Sequence, residues 1–126
     1  MHVYSFEKLE SWKLARELAV WVYKSTVKFP NEEKYGLVSQ MRRSAVSIAS
    51  NIAEGTSRFS TKEQIQFYSI AYGSAIELLN QMIISYDLQY LNEDSLAEAR
   101  EKISKLTMLL SKLKIYLQNK LTNKSI

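Results

Sequence analysis

The sequence predicts an all-α protein, specifically an antiparallel, up-down-up-down four-helix bundle. The 126 residues include one proline and three glycines, which leaves few turns and favours long helices. Apolar residues recur at steps of three and four along four separate segments, which is the period of an amphipathic helix. The links between these segments are about three to five residues long, and short links make neighbouring helices antiparallel.

The first helix is predicted from about Phe6 to Lys28. Ser5 is the expected N-cap, and Tyr4 and Leu9 have the spacing of a hydrophobic staple. The helix should end near Phe29, because a residue that precedes proline disfavours the helical conformation. Its inward stripe comprises Leu9, Trp12, Ala15, Leu18, Ala19, Val22 and Thr26.

The second helix is predicted from about Glu32 to Glu54, with Asn31 as its cap and Gly55 as a left-handed residue after its end. It carries two opposite stripes. The apolar stripe comprises Val38, Met41, Ala45, Ile48 and Ile52. The other stripe, which we call the polar ridge, comprises Gln40, Ser44, Ser47, Asn51 and Glu54. Small polar side chains are typical of a surface that another backbone approaches closely, so we expect the ridge to contact another helix or a second subunit.

The third helix is predicted to begin after a capping box formed by Ser60 and Glu63 and to end near Leu88. Its inward stripe comprises Phe67, Ala71, Ser74, Leu78, Met82 and Ser85. Gly73 in mid-helix costs about 1 kcal/mol relative to alanine, which suggests that something packs closely there. Gly73 and Glu77 are therefore grouped with the polar ridge as candidate contact residues.

The fourth helix is expected to follow Asn92, with Leu91 and Leu96 as its staple. Its regular seam is typical of a helical bundle and comprises Leu96, Ala99, Ile103, Leu106, Leu110, Leu113 and Leu117. We predict one domain over residues 1–118 and a frayed tail over residues 119–126.

Composition excludes several classes of chemistry. The chain has no cysteine, so it forms no disulfide and offers no thiolate, and its single histidine is His2 near the N-terminus. The Glu-x-x-His pairs of di-iron bundles, the ligands of a zinc site, the Ser-His pair of a hydrolase and the glycine-rich phosphate loop are all missing from the sequence. We expect no enzyme activity, metal or cofactor. The N-terminus does not read as a signal peptide and no stretch reads as a membrane span, so we expect a cytoplasmic protein.

Charge is distributed unevenly. The chain has a net charge of +4, with −2 over residues 1–99 and +6 over residues 100–126. A basic end attracts phosphate or another anionic surface, although a solvated helix face gives the same composition. Arg42 or Arg43 is expected to pair with Glu77 or Glu54, and the alternative is that both arginines face phosphate.

Four tyrosines are expected along the third helix, and we expect them to pack in the core or at an interface. The alternative is that their rings stack on bases of a nucleic acid. They are Tyr68, Tyr72, Tyr86 and Tyr90.

One run of residues resembles a known family. Gln40-Met41-Arg42-Arg43-Ser44-Ala45-Val46-Ser47-Ile48, followed by Asn51-Ile52-Ala53-Glu54-Gly55 and Arg58, is similar to the signature of four-helix-bundle proteins encoded within intervening sequences of bacterial 23S rRNA genes. Supporting pieces extend the similarity over about residues 6 to 90. The resemblance implies a ring-shaped homopentamer and a relationship to the accessory protein of diversity-generating retroelements, which works with a reverse transcriptase and binds nucleic acid. It brings no catalytic residues.

Two functions follow as hypotheses. The first is a non-enzymatic homo-oligomer, a pentamer by the resemblance, that binds RNA or DNA through basic surfaces. Its candidate nucleic-acid-binding residues are Arg42, Arg43, Arg58, Lys105, Lys112 and Lys114. The second is a scaffold that binds a protein partner, such as an enzyme acting on nucleic acid, without itself contacting nucleic acid.

Overall fold

The structure is a computed structural model that describes residues 1–124. These residues form the helices α1 (Glu10–Thr26), α2 (Leu37–Ser57), α3 (Thr61–Asp87) and α4 (Glu93–Lys124), with 3-10 helices at Ser5–Lys8 and Asn31–Glu33 and no strand in the described part. α1 packs on α2 and α4, and α3 packs on the same two helices from the opposite corner. The predicted all-α four-helix bundle is therefore confirmed.

Contacts between α2 and α3 show that these helices run antiparallel. The hydroxyl of Ser85 donates to the sulfur of Met41, and the hydroxyls of Ser47 and Ser74 lie within hydrogen-bond distance. Partner numbers in α3 thus fall as residue numbers in α2 rise. The link between the two helices is residues 58–60 and the link between α3 and α4 is residues 88–92, which are too short for anything but an antiparallel return.

The core follows the apolar stripes. All five residues of the α2 stripe are buried, and every residue of the α4 seam is buried except Leu113, which packs on the core while partly exposed. In α1 the buried stripe residues are Ala15, Leu18, Val22 and Thr26. In α3 the aromatic residue that enters the core is Tyr68, one position after the predicted Phe67. The 3.6-residue period located the core correctly except at two positions of α3, because Ala75 rather than the predicted Ser74 is also a core residue there.

Both predicted starts for the first two helices are wrong. Residues 5–8 form a separate 3-10 turn in which the Glu7 carboxylate accepts from the Tyr4 amide at 2.8 Å, and the extended backbone of Leu9 separates this turn from α1. Ser5 is therefore not the N-cap. α2 begins at Leu37 rather than Glu32, because residues 31–33 form a second 3-10 turn. Asn31 makes no cap hydrogen bond there.

Glu33 supplies the missing cap for α2. Its carboxylate oxygen Oε1 accepts from the amide of Leu37 at 3.3 Å, while Oε2 accepts from the Tyr90 hydroxyl at 3.1 Å. A side chain from before the helix thus satisfies a free amide of the first turn and ties it to the link that follows α3. The negative charge also lies at the positive end of the α2 dipole.

Gly55 lies inside α2 and is helical, so the prediction that it is a left-handed residue after the helix end is wrong. Its role is close packing, because an ideal Cβ at this position would lie 2.8 Å from Cβ of Phe67. The helix continues to Ser57. Within residues 1–124, the residue with left-handed backbone is Gln89, with a φ of 67°, just after the end of α3.

The N-cap residues predicted for α3 and α4, Ser60 and Asn92, are confirmed, but of the predicted capping box at α3 the described residues show only the bond to Ser60. The Ser60 hydroxyl accepts from the amide of Glu63 at 3.4 Å, and the Asn92 side chain accepts from the amide of Ser95 at 2.8 Å. α4 continues as a helix through residue 124, over most of the segment predicted as a frayed tail. Residues 125 and 126 of that predicted tail lie outside the described residues.

Candidate nucleic-acid interface

A groove lies on the face formed by the last turns of α1, the link before α2 and the first half of α2. It has a volume of about 660 Å³ and is open to solvent. Its cations are Lys34, Arg42 and Arg43, its rings are Tyr23 and Tyr35, its hydroxyls are Ser39, Ser47 and Ser50, and its apolar residues are Val38 and Val46. We call this surface the basic groove. None of the described residues that line it is Asp or Glu.

Arg42 is held against the end of α1. Its Nε donates to the Thr26 hydroxyl at 3.0 Å, one terminal nitrogen donates to the Tyr23 carbonyl at 3.3 Å, and the guanidinium lies 4.5 Å from the centre of the Tyr23 ring. The last carbonyls of a helix carry partial negative charge, so a cation is stabilised there. Arg42 therefore joins α1 to α2 and contributes its charge to the basic groove from a fixed position.

Arg43 and Lys34 are the other two cations of the basic groove, and both are exposed. Arg43 is exposed and makes no ion pair or hydrogen bond with the described residues. The Lys34 ammonium lies 5.5 Å from the centre of the Tyr35 ring, and Tyr35 is 87% exposed. The basic groove thus holds a guanidinium without an ion pair among the described residues, an ammonium and a largely exposed aromatic ring. This combination suits a ligand that has both negative charge and flat rings.

The six predicted binding residues do not form one surface. Only Arg42 and Arg43 share the basic groove. Lys112 lies near the start of α1 beside Tyr116, whereas the Lys114 ammonium lies 5.8 Å from the Tyr72 ring on the α3 side. Lys105 lies among three carboxylates, those of Glu17, Glu98 and Glu101. The basic character of residues 100–126 is therefore spread over opposite flanks of α4.

The predicted charge pair between an α2 arginine and Glu77 or Glu54 is wrong. Glu54 pairs instead with Arg58, which lies just after the end of α2, at 3.6 Å. Glu77 accepts from the side-chain amide of Gln81 at 3.3 Å. Arg42 reaches α1, on the other side of α2 from α3. Arg58 also lies 4.7 Å from the Phe67 ring, so it is occupied at the turn between α2 and α3.

The polar ridge of α2 is partly covered by α3 of the same chain. Ser44 is buried, and Ser47 and Asn51 are half-buried. The Ser47 hydroxyl lies 2.9 Å from the Ser74 hydroxyl, and the Asn51 amide donates to the carbonyl and hydroxyl of Ser47 at 2.8 and 3.0 Å. The two ends of the ridge, Gln40 and Glu54, are exposed. A helix of the same protomer therefore provides the close contact that was expected for the middle of the polar ridge.

Gly73 does not contact a neighbouring helix within the protomer. Nothing in the described structure lies within 4 Å of an ideal Cβ at this position, and Gly73 and Glu77 are exposed on the outer face of α3. The expectation of close packing at Gly73 is thus not met by any element of the same chain. Ile70, Ile76 and Ile84 are also exposed on α3, so this helix presents apolar side chains to solvent.

The tyrosines of α3 and Tyr90, in the link that follows it, have separate structural environments. The Tyr68 hydroxyl lies 2.7 Å from the Thr56 hydroxyl, and burial raises the pKa of this phenol, an effect that the hydrogen bond to Thr56 opposes. Desolvation raises the pKa of Tyr90, and the adjacent Glu33 carboxylate raises it further. Tyr72 lies under Lys114, and Tyr86 is exposed. They do not form a continuous stacking surface.

Sequence reasoning missed several residues that line the basic groove, among them its two rings and its lysine, Tyr23, Tyr35 and Lys34. The Lys34-Tyr35 pair occurs in a link that the prediction assigned to the second helix, where a lysine and a tyrosine would lie on different faces. The detectable signal was the glycine that follows them, Gly36, which lies at the N-cap of α2.

Within residues 1–124, no three His, Cys, Asp or Glu side chains are close enough together to hold a metal ion. In the same part of the chain, every helix is too short or too polar to cross a bilayer.

Comparison with known proteins gives one family and one informative fold. The family model described as 23S rRNA-intervening sequence protein matches residues 7–112. Among solved structures, a crystal structure of a protein with unknown function from the S23 ribosomal protein family of Bacteroides thetaiotaomicron superposes with a TM-score of 0.75. It is 21% identical over 82% of this chain and 97% of that chain, which supports the fold alone. No curated protein matches the chain in sequence.

Proposed function

The chain belongs to the family of 23S rRNA-intervening sequence proteins, and from this we propose that it is a non-enzymatic homo-oligomer that binds RNA or DNA through a basic surface. The observation that carries the proposal is the basic groove, which combines three cations and two aromatic rings with no carboxylate among its described lining residues. Phosphate contacts supply most of the non-specific affinity for nucleic acid. The basic groove offers three cations for such phosphate contacts, and no carboxylate among its described lining residues repels the phosphates.

Self-association supports this function because each subunit has a modest charge. A net charge of +4 per chain is multiplied in an oligomer, and repeated weak sites linked in one assembly bind a long polyanion far more tightly than one site does. The resemblance to the family implies a pentamer. The outer face of α3, with exposed Ile70, Gly73 and Ile84, is the surface that suits a neighbouring subunit.

The test measures binding and assembly on the same sample. Light scattering gives the mass, and fluorescence anisotropy of labelled RNA and DNA is recorded from about 50 to about 200 mM salt. We expect an oligomer that binds both, with log K falling linearly as log salt rises by about 0.7 per phosphate contact for single strands. A monomer would refute the assembly, and an absence of binding at low salt would refute the nucleic-acid function.

A protein scaffold is the second candidate, and exposed apolar residues favour it. Phe59 is fully exposed at the turn between α2 and α3, in addition to the isoleucines on α3. Exposed apolar groups mark surfaces that bind other proteins. A partner that is recovered from the native host and stays bound after nuclease treatment, together with an absence of direct nucleic-acid binding, would favour this function over the first.

A further inference from the structure

We propose that the basic groove binds single-stranded nucleic acid, with one base stacked on the Tyr35 ring and the flanking phosphates held by Lys34 and Arg43. This inference rests on the proposed function and specifies its ligand. It places the contact on the α1–α2 face, and it excludes the lysines of α4 that the charge distribution of the sequence favours.

The first argument is the exposure of Tyr35. An aromatic ring that is 87% exposed loses the hydrophobic stabilisation that its area would give in the core. A base that stacks on such a ring covers it, and stacking tolerates any sequence because every base has a flat face. In a duplex both faces of each base are already stacked, so the ring gains this contact only from a strand whose bases are free.

The second argument is the placement of charge around that ring. The Lys34 ammonium lies 5.5 Å from the ring centre, and Arg42 and Arg43 follow along the same groove. Arg42 donates two hydrogen bonds to α1. Arg43 makes no ion pair or hydrogen bond among the described residues, so all five of its N–H donors are available to a ligand. An aromatic platform beside cations is the arrangement by which proteins hold single strands.

The third argument is size. From Ser39 to Ser50 the groove follows α2 for about 16 Å, at 1.5 Å per residue. A stacked strand advances about 3.4 Å per phosphate, so the groove accommodates about five nucleotides. The exposed hydroxyls of Ser39 and Ser50 lie along this path and can donate to phosphate or base oxygens.

The experiment compares one labelled strand of about 16 nucleotides with a duplex of the same sequence, using fluorescence anisotropy at low salt. We expect the wild-type protein to bind the single strand at least about fivefold more tightly than the duplex. Tyr35→Ala should weaken single-strand binding by at least about fivefold, whereas Tyr35→Phe, which keeps the ring, should bind like the wild type. Tyr116→Ala removes an exposed tyrosine outside the groove and should have no effect.

Each other outcome has a definite meaning. Equal or tighter binding of the duplex, or unchanged binding by Tyr35→Ala, would overturn this inference and leave the proposed function standing. Polyglutamate that displaces the strand as effectively as unlabelled oligonucleotide would also overturn it, because the groove would then recognise negative charge alone. If neither single strand nor duplex binds at low salt, the proposed function fails together with the inference.

Discussion

The hydroxyl of Ser47 in α2 lies 2.9 Å from the hydroxyl of Ser74 in α3. This contact, with the Asn51 amide that donates to Ser47, satisfies the middle of the polar ridge inside one protomer. The ridge therefore cannot by itself serve as evidence for a second subunit. Evidence for assembly has to come from the exposed residues of α3, among them Ile70, Gly73 and Ile84.

We predict that Ser74→Ala destabilises the protein by about 1 kcal/mol, because it leaves the half-buried Ser47 hydroxyl without its partner across the helix interface. Urea denaturation followed by circular dichroism measures the change. Ser104→Ala alters an exposed serine on α4 and should shift stability by less than about 0.5 kcal/mol. Equal effects of the two changes would contradict the role of this hydrogen bond.

Gly55→Ala and Gly73→Ala are predicted to have opposite effects. A Cβ at Gly55 would lie 2.8 Å from Phe67 Cβ and 3.0 Å from the Tyr68 ring, so α2 and α3 must move apart at a cost of about 1–3 kcal/mol. A Cβ at Gly73 meets nothing within the protomer, so alanine should stabilise an isolated protomer by about 1 kcal/mol. In the proposed oligomer, a subunit packed against Gly73 would turn this gain into a loss.

Unfolding at fixed protein concentration, combined with light scattering, shows whether a neighbouring subunit packs at Gly73. If Gly73→Ala lowers both stability and mass, a neighbouring subunit packs at Gly73. If it raises stability and leaves the mass unchanged, Gly73 lies outside any interface. A Gly55→Ala protein as stable as the wild type would show that the α2–α3 interface adjusts more easily than its geometry indicates.

Most of the fold was predictable because the period of apolar residues is a strong signal. The stripes of α2 and α4 identified their buried residues, and Ser60 and Asn92 identified two helix starts. The starts of α1 and α2 were not predictable in this way. They depend on Glu7 and Glu33, whose carboxylates accept from backbone amides three or four residues away and so favour 3-10 turns over continued helix.

The candidate site was predictable only in part. Arg42 and Arg43 were identified as binding residues, but the sequence does not show that α1 is the neighbour of that part of α2. Tyr23 enters the basic groove through the tertiary contact between α1 and α2, whereas Lys34 enters it because residues 34–36 form a turn before α2. In the same way, the lysines of α4 form one group in the sequence, yet Lys112 and Lys114 lie on opposite flanks of the helix.

Tyr68 is predicted to make stability depend on alkaline pH. Burial raises its pKa in the folded state, so above about pH 10 the unfolded chain loses this proton first and the folded state loses relative stability. Tyr68→Phe should therefore be less stable than the wild type by about 1 kcal/mol at pH 8, through loss of the hydrogen bond to Thr56. The difference in unfolding free energy between the wild type and Tyr68→Phe should become smaller as the pH rises above about 10.

Urea denaturation of both proteins at a series of pH values tests this dependence, with Tyr116→Phe as the exposed control. A gap between wild type and Tyr68→Phe that stays constant from neutral to alkaline pH would show that Tyr68 does not contribute to alkaline unfolding.

Gln89→Gly is predicted to stabilise the protein by about 0.5–1 kcal/mol. Gln89 has a φ of 67°, and the amide of Tyr90 after it donates to the Ser85 carbonyl at 2.8 Å, which closes α3. Side chains raise the energy of this left-handed conformation, whereas glycine adopts it freely. Gln118→Gly, in the exposed face of α4, should instead destabilise by about 1 kcal/mol. A loss of stability on Gln89→Gly in thermal unfolding would contradict the strain at this position.

Arg42 and Arg43 are adjacent in sequence but are predicted to respond differently to the same substitution. Arg42→Gln removes two hydrogen bonds to the end of α1 and the contact with the Tyr23 ring, so it should destabilise the protein by about 1–2 kcal/mol. Arg43→Gln removes an exposed side chain with no ion pair or hydrogen bond in the described structure and should change stability by less than about 0.5 kcal/mol.

Arg43→Gln should nevertheless weaken binding of the single strand. It should also reduce the slope of log K against log salt by about 0.7, because one phosphate contact is lost. Lys105→Gln, in a cleft that also holds three carboxylates, is the charge-matched control and should leave binding unchanged. If Lys105→Gln and Arg43→Gln weaken binding equally, affinity follows total charge rather than the basic groove, and the site must be placed elsewhere on the bundle.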